Sequence, residues 1–165
     1  MNSKGYFGDE LREGSIILTL DELSTKEIPD SLWNNEELEE LTIQKTRANM
    51  QWSTRSPLSW YETVEFTPPY RELSDKVGKL KRLKSLILVD LDIKTLPESI
   101  TQLKHLEILN LSFNKLELPE ELSKLKVLKS LKHLILIGNH YDPHEMEEYQ
   151  KEFPNLRIEY KAEEN

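Results

Sequence analysis

The chain contains no cysteine among its 165 residues, so it has neither a disulfide framework nor a thiolate metal site. A disulfide-free sequence suits a reducing compartment, and the expectation is a cytoplasmic protein. Long hydrophobic runs are missing too. No stretch approaches the roughly 20 apolar residues of a membrane span, and residues 1–14 hold no apolar run of signal-peptide length. Glycine is scarce, at five residues, while charged residues make up 32% and apolar ones 37%. That balance suits a folded, very soluble chain over a disordered one. Cations are the minority: 22 Lys and Arg against 30 Asp and Glu leave a net charge of −8. Nucleic acid is therefore not an expected partner, because phosphate recognition is built on Lys and Arg. A basic partner is favoured. No nucleophile elbow, phosphate loop or dinucleotide fingerprint appears. An enzyme is not expected, and no catalytic, cofactor or metal residue is assigned.

What the sequence does hold is a rhythm. Seven times a pair of apolar residues two apart recurs: Leu18/Leu20, Leu41/Ile43, Val64/Phe66, Leu86/Leu88, Leu109/Leu111, Leu134/Leu136 and Leu156/Ile158. The intervals are 23, 23, 22, 23, 25 and 22 residues, and self-similarity at such a period marks a solenoid. The clearest unit runs from Leu83 to His105, and the next begins at Leu106. Both read L-x-x-L-x-L-x-x-N/L-x-L, then L-P-x-x-I/L-x-x-L. The first half alternates with period two, as a half-buried strand does. The second half spaces Leu96, Ile100, Leu103 and Leu106 by four, three and three, which suits one or two turns of α or 3-10 helix.

These residues resemble the leucine-rich repeat family. Leu83, Leu86, Leu88, Leu91, Ile93, Leu96, Ile100 and Leu103 occupy its apolar positions. The resemblance implies an α/β solenoid, with a curved parallel sheet on the concave face and short helical, 3-10 or irregular segments on the convex one. It also implies that Asn114 and Asn139 bond the backbone of their turns. The Leu96-Pro97, Leu118-Pro119 and Ile28-Pro29 signatures resemble bacterial and intracellular signalling variants.

The organisation that follows is an N-terminal cap at 1–14, with Tyr6, Phe7 and Leu11 over the first strand, and an array at 15–152. Its repeats span 15–37, 38–60, 61–82, 83–105, 106–130 and 131–152. A terminal strand at 153–160 and a tail at 161–165 complete the chain. Repeat 38–60 is the deviant, poor in aliphatics after Ile43. Asp142-Pro143-His144-Glu145 reads as the start of a capping helix over 143–152, with Asp142 as N-cap. His140 precedes that N-cap, so its four-residue spacing from His144 does not place both on one helix face, and a zinc site is not expected. The lysines of 76–84 and 124–132 interleave with buried leucines and read as a solvated convex face.

On the concave face, the residues beside the consensus leucines point outward. Column by column they run Ile17, Glu40, Thr63, Ser85, Ile108, His133, Asn155; then Thr19, Thr42, Glu65, Ile87, Asn110, Ile135, Arg157; then Asp21, Gln44, Thr67, Val89, Ser112, Ile137, Glu159. The C-terminal half gathers Ile87, Val89, Ile108, Ile135 and Ile137, with Phe113 at the edge. Such a patch with a polar rim marks a binding site. β-branched residues also simply suit strands, and a second copy of the chain is the third reading. The partner-binding set is Glu40, Glu65, Ile87, Val89, Ile108, Asn110, Phe113, His133, Ile135 and Ile137, with Trp52 from the deviant repeat. Trp60 reads as core, and Trp52 balances between core and interface anchor. The functional expectation is a non-catalytic module that binds a protein, either an immunity-type inhibitor of a basic toxin or a signalling adaptor with several weaker partners. No membrane partner is expected.

Overall fold

Leu86 and Leu88 are fully buried, while Ser85, Ile87 and Val89 beside them are partly exposed. This is the two-residue period of a strand covered on one side. In the computed structural model, which describes residues 14–20, 28, 30–45, 72–118 and 120–161, this strand is β3 (Ser85–Val89) of a six-stranded parallel sheet. The others are β1 (Ser15–Leu20), β2 (Glu40–Lys45), β4 (Ile108–Asn110), β6 (His133–Ile135) and β8 (Arg157–Glu159), in the order β1-β2-β3-β4-β6-β8. A second, two-stranded sheet pairs β5 (Glu117–Leu118) with β7 (His140–Tyr141).

The return segments are short, and most are 3-10. They comprise helix α1 (Asp30–Trp33), the 3-10 helices Asp75–Lys79, Glu98–Gln102 and Glu120–Val127, and helix α2 (Pro143–Glu152). Val77 and Ile100 within these helices, and Leu80, Leu83, Leu103 and Leu106 just after them, are fully buried against the sheet's inner leucines. Each contributes on the order of 2 kcal/mol through the apolar area it removes from water. Successive 3-10 helices approach closely where small residues meet: a Cβ on Gly78 would stand 2.8 Å from Ser99 Cβ.

Asn114 and Asn139 are buried where the turns need polar partners. Asn114 Oδ1 accepts from the N–H groups of Leu91 and Ile93, both at 3.1 Å, and its Nδ2 donates to the carbonyls of Leu88, Leu111 and Ser112. Asn139 repeats the scheme on Leu116 N–H and on the carbonyls of Leu111 and Leu136. At the C-terminal end, the Asp142 carboxylate accepts from His144 and Glu145 N–H, capping α2. Met146 and Tyr149 bury the inner face of α2. The Tyr149 hydroxyl donates to Leu122 O at 2.9 Å, and burial pushes its phenol pKa upward.

Three features of the sheet differ from the sequence columns. In β1 the pair aligned with Leu41/Ile43 is Ile16/Leu18, two residues before the expected Leu18/Leu20. A shift of two keeps the same residues facing inward, so alternation alone does not choose between the frames. The choice is made by left-handed Gly14, whose carbonyl accepts from both Glu39 and Glu40 N–H. Ile17 therefore lies beside Thr42, and Thr19 beside Gln44.

β8 shifts likewise. Ile158, not Leu156, sits beside Leu134, so His133 pairs with Arg157 and Ile135 with Glu159. Tyr160 is buried edge-on against Tyr141, with ring centroids 5.2 Å apart, and completes that inner row.

The third difference is the largest. β2 pairs directly with β3, Glu40 beside Ser85, and Lys84 bonds Glu39 across 45 residues of sequence. The convex side agrees, with Lys76 Nζ 2.6 Å from Asp30 Oδ1 and Arg82 paired with Glu37. Val64/Phe66 therefore has no place between these strands, and Thr63, Glu65 and Thr67 drop out of the columns. That pair, Trp52, Trp60 and the N-terminal Tyr6, Phe7 and Leu11 lie outside the described residues.

Candidate functional site

On the sheet face turned away from the 3-10 helices, burial alternates residue by residue. Leu109 and Leu134 are fully buried, whereas Ile108 between Ser85 and His133 is 39% exposed. Ile87, Asn110 and Ile135 form the next outward column, between Thr42 and Glu159. Ile87 and Ile135 flank Asn110 on either side, and Ile108 lies diagonal to both. At β-sheet spacing such neighbours reach one another's side chains. Asn110 Oδ1 accepts from Ser112 N–H at 3.0 Å, which directs the amide carbonyl along its own strand. Val89 and Ile137 continue the aliphatic surface and are half-buried.

Above the strand ends runs a column of left-handed backbone. Asp90 (φ 58°), Phe113 (φ 57°) and Gly138 (φ 78°) each stand two residues past an inner leucine. The Asp90 N–H donates to Ser112 O at 3.1 Å, and the Phe113 N–H to Ile137 O at 2.7 Å. The turns at Asp90 and Phe113 thus each hang on the carbonyl one repeat further on. Such backbone costs a non-glycine residue roughly 1–2 kcal/mol. Phe113 accepts that cost with its side chain 44% exposed, a combination that points to use at the surface.

Charge surrounds the aliphatic face. On β8, Glu159 Oε1 accepts from Arg157 at 2.6 Å and from His133 Nε2 at 2.9 Å. The His133 hydrogen bond is the largest effect on Glu159; burial opposes it, and with the Arg157 charge added the carboxyl is held below its ordinary pKa range. Below the strand starts, acids and bases alternate from repeat to repeat: Glu39, Lys84, Glu107, Lys132. Lys84 reaches Glu39 at 2.7 Å and Lys132 reaches Glu107 at 2.6 Å. Those hydrogen bonds and charges lower the pKa of Glu39 and of Glu107. Glu40 is exposed at the foot of β2.

The structure therefore brings Ile87, Val89, Ile108, Asn110, Phe113, His133, Ile135 and Ile137 onto one face, with Glu40 at its N-terminal side. Glu65 and Trp52 lie outside the described residues. Two features escaped the sequence columns. The His133–Glu159–Arg157 cluster depends on the shifted β8 register. The left-handed column has only Gly138 as a sequence signal, because Asp90 and Phe113 occupy the same turn without glycine.

A cleft of about 510 Å³ opens beside α2, lined by Glu117, Ser123, Lys126, Glu145, Glu148 and Glu152. Lys126 there is paired with Glu152 at 2.8 Å. Among the described residues, no helix is long and apolar enough to cross a membrane.

No protein-family model matches the chain, and no curated protein is similar enough to count as a match. Solved structures do match. A leucine-rich repeat protein of Leptospira interrogans shares 28% identity over 81% of this chain, with a TM-score of 0.52. The chain spans about a third of that protein's length, 34%. The leucine-rich repeat ectodomain of the receptor kinase SOBIR1 from Arabidopsis thaliana superposes over 88% of this chain and 69% of its own, with a TM-score of 0.50. At 20% identity, that second likeness is one of fold.

Proposed function

Since the chain is a leucine-rich repeat protein, a class of protein-interaction modules, we propose that it is non-catalytic and binds a protein partner on its concave face. The observation that carries this reading is the alternation at β4. Leu109 is fully buried and its neighbour Ile108 is left 39% exposed, in a sheet face where Ile87 and Ile135 lie diagonal to it. A contiguous aliphatic surface turned to water is stabilised when a partner covers it. The contacts we assign are Ile87, Val89, Ile108, Phe113, Ile135 and Ile137, with Asn110, His133 and Glu40 at the polar margin. A net charge of −8 favours a basic partner through faster, charge-steered encounter. The cysteine-free sequence suits the cytoplasm as the compartment.

The test is an affinity pull-down from source-organism lysate, with wild type and an Ile87→Glu/Ile135→Glu variant as baits. Circular dichroism first confirms that the variant folds. Loss of a partner in the variant supports the concave face; identical capture by both baits excludes it. Stoichiometry separates the finer readings. One tightly bound basic partner fits an inhibitor of a cognate toxin, and several weaker ones fit an adaptor.

A further inference from the structure

Most acids around the concave face are already matched by a cation: Glu39 by Lys84, Glu107 by Lys132, Asp92 by Lys115 at 2.8 Å, and Glu159 by Arg157. Two are not. Among the described residues, the carboxylates of Glu40 and Asp90 have no cationic partner. Their placement is regular. Glu40 pairs with Ser85 at the start of β3, and Asp90 follows Val89 at its end. At about 3.3 Å per residue, the two backbone positions stand roughly 17 Å apart along the strand direction. Between them lie Ile87 and Val89, with Ile108 on the neighbouring strand.

We infer that the partner segment crosses this face along the strand direction, its aliphatic side chains on Ile87, Val89 and Ile108 and a Lys or Arg at each end, one for Glu40 and one for Asp90. The inference rests on the concave-face reading and adds the partner's chemistry and span. Two cations roughly 17 Å apart are separated by about five residues if the segment is extended, or about eleven if it is helical. A second copy of this chain fits poorly. Meeting face to face, it brings the same two carboxylates, and among the described residues Arg157, the cation of that face, is already engaged by Glu159.

A phage-displayed random 16-residue peptide library tests this, panned on wild type, Glu40→Gln, Asp90→Asn and Ile87→Glu/Ile135→Glu. Asn is chosen at position 90 because it tolerates the positive φ there. Wild type is expected to enrich aliphatic peptides flanked by two basic residues at one of the two spacings. Glu40→Gln and Asp90→Asn should each enrich peptides with one flanking base fewer and bind the wild-type winners a few-fold more weakly. Winners with the same basic content on all three of these baits overturn the inference, while their loss on Ile87→Glu/Ile135→Glu keeps the concave-face reading. Winners that survive Ile87→Glu/Ile135→Glu overturn both. A dimer in sedimentation velocity that Ile87→Glu/Ile135→Glu abolishes gives the face to a second copy and overturns the inference.

Discussion

The Phe113 ring lies over Gly138, so closely that a Cβ on the glycine would stand 2.6 Å from Phe113 Cδ1. Gly138 also has φ 78°. Any side chain there meets both a left-handed backbone penalty and the ring. Gly138→Ala is expected to cost about 2 kcal/mol, read as a lower midpoint in urea unfolding. Adding Phe113→Ala should recover the contact part of that loss and leave the backbone part. If Gly138→Ala unfolds at the wild-type midpoint, the ring does not pack as described.

Adjacent residues on β4 should behave oppositely. Leu109→Ala removes a fully buried side chain and is expected to cost roughly 3 kcal/mol. Ile108→Ser changes an exposed one and should stay within about 0.5 kcal/mol, yet weaken partner capture in the same pull-down. Equal destabilisation by the two would mean that the outward face is covered within the fold.

Asn114 offers a graded comparison with Asn139. Its amide serves two N–H groups and three carbonyls, whereas that of Asn139 serves one and two. Truncation leaves those buried groups unsatisfied. Asn114→Ala should cost about 3 kcal/mol and Asn139→Ala about 2 kcal/mol, and calorimetric unfolding ranks them. The reverse order would show that water replaces the Asn114 bonds.

Stability should fall on the acid side. Hydrogen bonds from Lys84, Lys132 and His133, followed by nearby positive charge, keep Glu39, Glu107 and Glu159 below the ordinary value of 4.5. A carboxylate depressed in the folded state contributes fully above its unfolded pKa, and the contribution is lost as pH falls through the folded one. The urea midpoint is therefore expected to hold from neutral pH down to about 5 and to drop below that. The drop should shrink in a Glu39→Gln/Glu107→Gln/Glu159→Gln variant. About 1 M salt should flatten it too, since screening then acts within roughly 3 Å. An acid limb unchanged by both would place the titrating groups elsewhere.

The inner leucines made the fold legible. From Leu83 to Leu136 nearly every consensus position is buried as the period requires, because a core packed on one face fixes both parity and spacing. The outward columns were legible only where that spacing held. At β1 and β8 a two-residue slip preserves parity, so Ile16 and Tyr160 could not be distinguished from Leu20 and Leu156 by pattern alone. The choice is made by the Gly14 carbonyl at one end and by the Tyr141–Tyr160 contact at the other. Val64/Phe66 imitated a repeat because two apolar residues at the right interval carry no information about which strands they join. The His133–Glu159–Arg157 cluster followed from the corrected register; Glu40 already stood in the outward column, whereas Asp90 lay outside it and stands out only against its neighbours' ion pairs.

The junction of β2 with β3 has a consequence for how the molecule assembles. Within the C-terminal repeats, partners in the turns and columns lie 21 to 28 residues apart, so each strand finds its neighbour after a short search. The Glu39–Lys84 contact spans 45, and closing a loop of doubled length costs about 0.6 kcal/mol more. Nearest-neighbour cooperativity is then uneven along the array. Loop closure is therefore least costly within β3 through β8 and within the β1–β2 pair, and most costly at the seam where Glu40 meets Ser85.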